Sequence, residues 1–77
     1  MYVVIDVETT GLEPSDRICS VGIIAGETTH YELVHPGKKI LPQASAIHHI
    51  TNEMVQETPS FGQSAIYDTI VSLNIPE

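Results

Sequence analysis

From Tyr2 to Glu8 the chain reads YVVIDVE. Successive side chains of a strand point to opposite faces, so Val3, Ile5 and Val7 line one face and Tyr2 and Val4 the other. A strand that is apolar on both faces belongs in the middle of a sheet with cover on each side. No other feature limits the fold as tightly. The strand also stops abruptly. Asp6 and Glu8 break the apolar run, and Thr9-Thr10-Gly11 turns the chain immediately afterwards.

Asp6 and Glu8 are two residues apart, so they project side by side at the strand's C-terminal end. Two carboxylates this close repel, and one tends to take up a proton unless a cation lies between them. Carboxylates are hard oxygen ligands suited to Mg²⁺ or Mn²⁺. The pair therefore reads as half of a metal site at the mouth of a sheet. The bland alternative, turn acids with salt-bridge partners, meets a shortage of partners. The chain has only three basic residues, Arg17, Lys38 and Lys39, against ten acids. In the turn, Gly11 lets backbone approach a ligand closely. The Thr9 and Thr10 hydroxyls and nearby N–H groups suit a phosphate or sugar. Leu12 is an apolar residue on a polar turn, placed where a base can stack.

The rest of the chain reads as a meander followed by helices. Arg17–Ala25 (RICSVGIIA) alternates Ile18, Ser20, Gly22 and Ile24 against Cys19, Val21, Ile23 and Ala25. Gly26-Glu27 fits a tight hairpin turn. Thr28–His35 is polar enough for a sheet edge. After Pro36-Gly37 and a loop over 38–42, a short helix is expected over Gln43–His49. Thr51 caps a second helix, with Asn52 and Glu53 in its first turn. Thr58-Pro59 starts a third, whose Phe61, Ala65, Ile66, Ile70 and Leu73 recur at helical spacing as a core-facing stripe. Asp68 reads as a solvated mid-helix position, and Pro76 stops the helix.

At 77 residues the chain makes one small domain, and such a domain buries only roughly 60% of its unfolded surface. Cys19 is the only cysteine, so no disulfide forms within the chain. A lone thiol, the absence of a signal-like start and the absence of a long apolar run point to a cytoplasmic protein without a membrane span. The formal net charge of −7 argues against a DNA binder that relies on Lys and Arg alone. Bound divalent cations would reverse the sign of the local field. Glu13, Asp16, Glu27, Glu32, Glu53, Glu57 and Glu77 read as solubilising acids.

Two stretches together carry a resemblance. VVIDVETTGL, residues 3–12, resembles the first motif of the DnaQ-like (DEDDh) 3′→5′ exonuclease superfamily, whose fold is α/β and ribonuclease-H-like. ILPQASAIHHITNEMV, residues 40–55, is similar to the segment after the third strand in that superfamily. Its wording is nearest to the exodeoxyribonuclease X group, with proofreading epsilon-type polymerase subunits next. The resemblance implies that Asp6 and Glu8 are catalytic and bind two metal ions, Mg²⁺ or Mn²⁺. It implies that Thr9, Thr10, Gly11 and Leu12 hold the terminal nucleotide of a DNA 3′ end, and that Ile47 and His48 line the same pocket. It gives His49 a lesser claim, and His30 and His35 none.

The superfamily also needs an H-N-x-x-F-D run and a final H-x-x-x-x-D pair whose His is the general base. Neither occurs here. Residues 1–77 therefore read as the N-terminal part of a single exonuclease domain. That part comprises a three-stranded antiparallel meander followed by short helices, and it lacks the C-terminal motifs. The activity expected of the complete enzyme is hydrolysis of phosphodiester bonds at DNA 3′ ends to release mononucleotides. The alternatives are a truncated, non-catalytic binding or interaction module, or a proofreading epsilon-type subunit of a DNA polymerase. In each case a bare sheet edge favours self-association or a complementary C-terminal segment as partner.

Overall fold

The computed structural model describes residues 2–73; the helix stop expected at Pro76, and Glu77, lie outside them. Strands β1 (Val3–Thr9), β2 (Ile18–Ala25) and β3 (Thr28–Leu33) form one antiparallel sheet in the order β1-β2-β3. The β2–β3 hairpin turns at Gly26-Glu27, where Gly26 takes φ 62°. A type II′ turn demands that positive angle of its first central residue, and glycine supplies it at no steric cost.

β2, not β1, is the central strand. Its Cys19, Val21, Ile23 and Ala25 are buried, whereas Val4, Ile5 and Val7 of β1 remain 55%, 43% and 40% exposed. Cover on both sides was expected of β1 in the complete domain; in this portion, among the described residues, β1 has the bare side expected of it. It pairs with β2 alone, and its outer edge has no neighbouring strand.

The strict alternation expected along β2 also fails at one point. Glu8 faces Ser20 but Thr9 faces Ile18, so the register slips and Cys19 is left over as a β-bulge. A bulge re-aims the side chains on either side of it. Ile18 joins the Val21–Ile23 face, which α3 (Ala65–Ser72) covers through Ile66, Ile70 and Leu73. Cys19 turns to the other side and packs with Ile40, Ile50 and Val55 beneath α1 (Pro42–His48) and α2 (Asn52–Val55). Two small cores result, one on each side of the sheet.

The helices follow their local signals with shifts. Thr51 caps α2 as expected, its hydroxyl accepting from Met54 N–H at 3.3 Å. α1 begins one residue early because Pro42 occupies the first turn, where its missing N–H costs nothing. His49 leaves the helix at φ 62°. α3 starts at Ala65, not at Thr58-Pro59. The intervening Phe61–Gln63 forms a single 3₁₀ turn, and Ser64 supplies the cap by accepting from Tyr67 N–H at 3.2 Å. Phe61 therefore reaches the core from that turn, Ala65 is exposed, and Asp68 lies exposed in the first turn of α3. Glu32, read from sequence as a surface acid, ties β3 to α3. It accepts from Ile66 N–H at 3.0 Å and lies 3.2 Å from His30 Nε2.

Candidate active site

β1 carries Asp6 and Glu8 on one face. Opposite them on β2 stand Gly22 and Ser20, two small residues that leave space beside the carboxylates. Asp6 is exposed and Glu8 half-buried. The ion pairs of the described residues, His30–Glu32 and Lys38–Asp16, use neither acid. This donor set suits a hard divalent cation, and the missing partners remove the salt-bridge alternative. It is not a complete set. Among the described residues no cluster of three or more His, Cys, Asp or Glu side chains could hold a metal. The residues present fit part of such a site.

Beside Glu8 lies a cleft of about 340 Å³ lined by Val7, Glu8, Thr9, Gly11, Leu12, Glu13, Leu41, Gln43, Ala44, Ile47 and His48. Its lips are Leu12, 99% exposed, and Ile47, 76% exposed. Two bare aliphatic side chains flanking a carboxylate suit a flat apolar ring whose attached phosphate approaches the acid. The cleft gathers Glu8 and five of the six residues expected to contact substrate. Leu41, Gln43 and Ala44 were not anticipated. Their only sequence signal was their place in the second motif, where Gln43 and Ala44 lie one helical turn ahead of Ile47 and Leu41 immediately precedes α1.

Thr10 is the exception. It is fully buried and does not line the cleft. Its hydroxyl donates to Asp16 Oδ1 at 2.6 Å and accepts from Arg17 N–H at 3.0 Å. Its own N–H donates to Arg17 O, and its carbonyl accepts from Leu41 N–H, both at 2.9 Å. Every polar atom of Thr10 is used inside the protein. It holds the turn in place instead of touching substrate.

Asp16 is the organiser that the sequence concealed. Its side chain is only 4% exposed and pairs with Lys38 Nζ at 3.1 Å. It also accepts from Glu13 N–H at 2.9 Å. Hydrogen bonds from Thr10, then from Glu13 N–H and Lys38, hold its carboxyl down at about 2, against an ordinary 3.8. A carboxyl depressed by folding stabilises the native state above the unfolded value. That contribution is lost as the pH falls through the folded value. Between about pH 4 and pH 2 the native chain should therefore lose stability faster than an Asp16→Asn variant. Urea midpoints for both proteins across that interval check this, and equal slopes would contradict it.

Gly11 follows from the same arrangement. It does not adopt a positive φ. A Cβ there would sit 2.4 Å from Asp16 Oδ2 and 2.8 Å from Leu41 Cδ1. The carboxylate is fixed by its partners and cannot swing aside cheaply. Gly11→Ala is expected to cost about 1–3 kcal/mol, seen as a lowered urea midpoint.

His48 links α1 to the end of β1. Its Nε2 lies 2.9 Å from Thr9 O and its Nδ1 lies 3.1 Å from Ile50 N. A carbonyl only accepts and an amide N–H only donates. The neutral ring therefore carries its proton on Nε2. With both nitrogens engaged, His48 presents ring carbon to the cleft and offers no free base. Thr9 contributes this carbonyl, while its hydroxyl donates to Gly11 O at 2.7 Å. Burial pushes the Cys19 thiol up, and the nearby Glu8 charge adds to the rise. Cys19 is thus a packing residue behind the site. His49 is exposed and does not line the cleft.

Comparisons with known proteins bear on the family and the fold. The exonuclease family model RNase_T matches residues 3–74. Exodeoxyribonuclease 10 of Escherichia coli (strain K12) is 44% identical over 62 residues, covering 77% of this chain and 28% of that protein. The uncharacterized exonuclease CP81 of Escherichia phage 186 is 41% identical over 71 residues, covering 90% of this chain and 36% of that one. Among solved structures, exonuclease X in complex with 5′ overhanging duplex DNA superposes with a TM-score of 0.71 at 30% identity. That match covers 100% of this chain and 45% of its counterpart. The chain thus spans roughly a third of the length of these curated relatives. With its three-stranded antiparallel sheet, its short helices and an acid pair at the mouth of the sheet, the chain belongs to the exonuclease family of ribonuclease-H-like fold.

Proposed function

We propose that this chain is the N-terminal, metal-binding part of a 3′→5′ exonuclease that releases mononucleotides from DNA ends. One observation carries the reading. Asp6 and Glu8 stand on one face of β1 with no ion-pair partner among the described residues, and Glu8 opens into a cleft with apolar lips. In this reading Leu12 and Ile47 hold the terminal base, Thr9 and Gly11 border the sugar and phosphate, and Asp6 and Glu8 would each offer an oxygen to the metal. Mg²⁺ or Mn²⁺ held there, two ions in the complete enzyme, would supply water activation and charge stabilisation. His48 is not the base, because both of its nitrogens are committed within the chain. The remaining carboxylates and the base come from polypeptide that pairs with the open edge of β1. A cytoplasmic, reducing compartment, in which Cys19 stays a thiol, belongs to the same proposal.

A binding module without catalysis is favoured for the chain acting alone, since among the described residues it holds a partial ligand set and the histidine of its cleft is engaged at both nitrogens. Catalytic groups that act as a unit lose nearly everything when one is absent. The purified chain is therefore expected to release no nucleotides from a 3′-ended oligonucleotide in Mn²⁺ at a useful rate. Robust release that disappears in Asp6→Asn would show that the site is complete within residues 1–77.

A further inference from the structure

The three cationic side chains of this acidic chain lie in one neighbourhood. Arg17 borders a hollow shared with His35 and Pro36, and Lys38 and Lys39 border a second hollow that also includes His35 and Pro36. His35 thus sits between Arg17 on one side and Lys39 on the other. Its Nδ1 accepts from Gly37 N–H at 3.0 Å, so the neutral ring keeps a donor at Nε2. Lys38 is already occupied with Asp16 and with Ser15 O, at 3.1 and 3.3 Å. Arg17 and Lys39 have no ion-pair partner among the described residues. Asp16, already paired with Lys38, lines the first hollow, and Glu53 lines the second.

This patch lies directly behind the lip of the cleft. Arg17 N–H donates to the Thr10 hydroxyl, and Thr10 leads straight into Gly11 and Leu12. Leu41, a wall of the cleft, follows Lys39 by two residues and is bonded through its N–H to Thr10 O. Thr10 and Leu41 thus tie the patch to the cleft through their hydrogen bonds. The formal net charge of −7 repels a polyanion elsewhere on the molecule, which confines its contacts to the metal-binding acids and this patch.

We propose that Arg17, His35 and Lys39 form a phosphate-binding ridge that holds the strand's backbone beyond the terminal nucleotide. Lys38 positions the ridge through Asp16 and does not bind phosphate itself. The inference rests on the exonuclease reading and adds to it where the rest of the strand runs. Two open hollows on either side of a shared histidine suit a linear chain of phosphates better than a single small anion. Contacts of this kind are independent of base sequence and weaken with salt.

The test is fluorescence anisotropy of the whole chain with a single-stranded DNA of about ten nucleotides, in Mn²⁺ and across a salt series. Arg17→Gln and Lys39→Gln remove exposed side chains whose loss leaves the fold intact. Each is expected to weaken binding several-fold and to reduce the slope of log affinity against log salt by about 0.7. Glu53→Gln is expected to tighten binding. Affinities and slopes equal to those of the unaltered chain in both Gln variants would overturn the ridge. Deoxythymidine monophosphate, too short to reach the ridge, separates the two readings. In the unaltered chain it should shift the NMR signals of Leu12 and Ile47. Silence there, with dependence on Arg17 and Lys39 retained, would sink the cleft assignment and leave the ridge standing.

Discussion

Ile66→Ala is expected to leave much of the chain unfolded. Ile66 is fully buried and packs against Val21 and Ile23, with Phe61, Ile70 and Leu73 around it. Truncating such a residue costs about 2–5 kcal/mol in lost transfer energy and residual cavity. A domain of this size sits at the low end of the ~5–15 kcal/mol that native proteins possess. The loss is therefore comparable with the whole stability. α3 covers the sheet face opposite the two carboxylates, so the site depends on it without contacting it. Val71→Ala, on the exposed side of the same helix at 59% exposure, should change stability by no more than about 0.5 kcal/mol. Circular dichroism during urea titration compares the two. A normal midpoint for Ile66→Ala would mean that α3 lies outside the cooperative core.

The two substitutions separate what a sequence can and cannot reveal about this chain. Alternation along RICSVGIIA and the Gly26 turn are local signals, and the hairpin they predict is the one that forms. The Asp6–Glu8 spacing and the solitary apolar Leu12 were legible for the same reason. The bulge at Cys19 was not, because nothing in the composition of a strand marks the point where its partner skips a residue. Thr58-Pro59 and Ser64 are both respectable helix starts. Which one prevails depends on where Phe61 and Ile66 meet the sheet, which is a tertiary matter.

Asp16 shows the same limit at the site. As one of ten acids it looked like a solubilising charge, yet it fixes Thr10, Glu13 and Lys38 at once. Gly11 was singled out for the approach of a ligand; the structure adds a second close neighbour, the Asp16 carboxylate, that the sequence did not show. Thr10 followed from the family pattern and proved to be an internal fastener. Likewise, the position of His48 in the cleft was foreseeable from the second motif. Its fixed tautomer depends on Thr9 O and Ile50 N–H meeting the ring from opposite sides.

The central claim is that Asp6 and Glu8 act together as ligands of a divalent metal. Both acids lie at one end of β1, with small residues opposite and no ion-pair partner among the described residues. Two carboxylates leave most positions of an octahedral ion to water, so binding by this chain alone should be weak. Removing one charge removes a ligand and half of the local negative field. Either Asp6→Asn or Glu8→Gln is therefore expected to weaken the site by at least an order of magnitude, at about 1.4 kcal/mol per tenfold change. Both amides are close in shape to the acids they replace, so the fold should survive. Paramagnetic broadening of amide NMR signals by Mn²⁺ reads the site directly. The expected result is broadening that begins at Asp6–Gly11 and disappears in the doubly substituted chain. Broadening centred on Glu13, Glu53 or Glu57, or unchanged by the double substitution, would contradict the assignment.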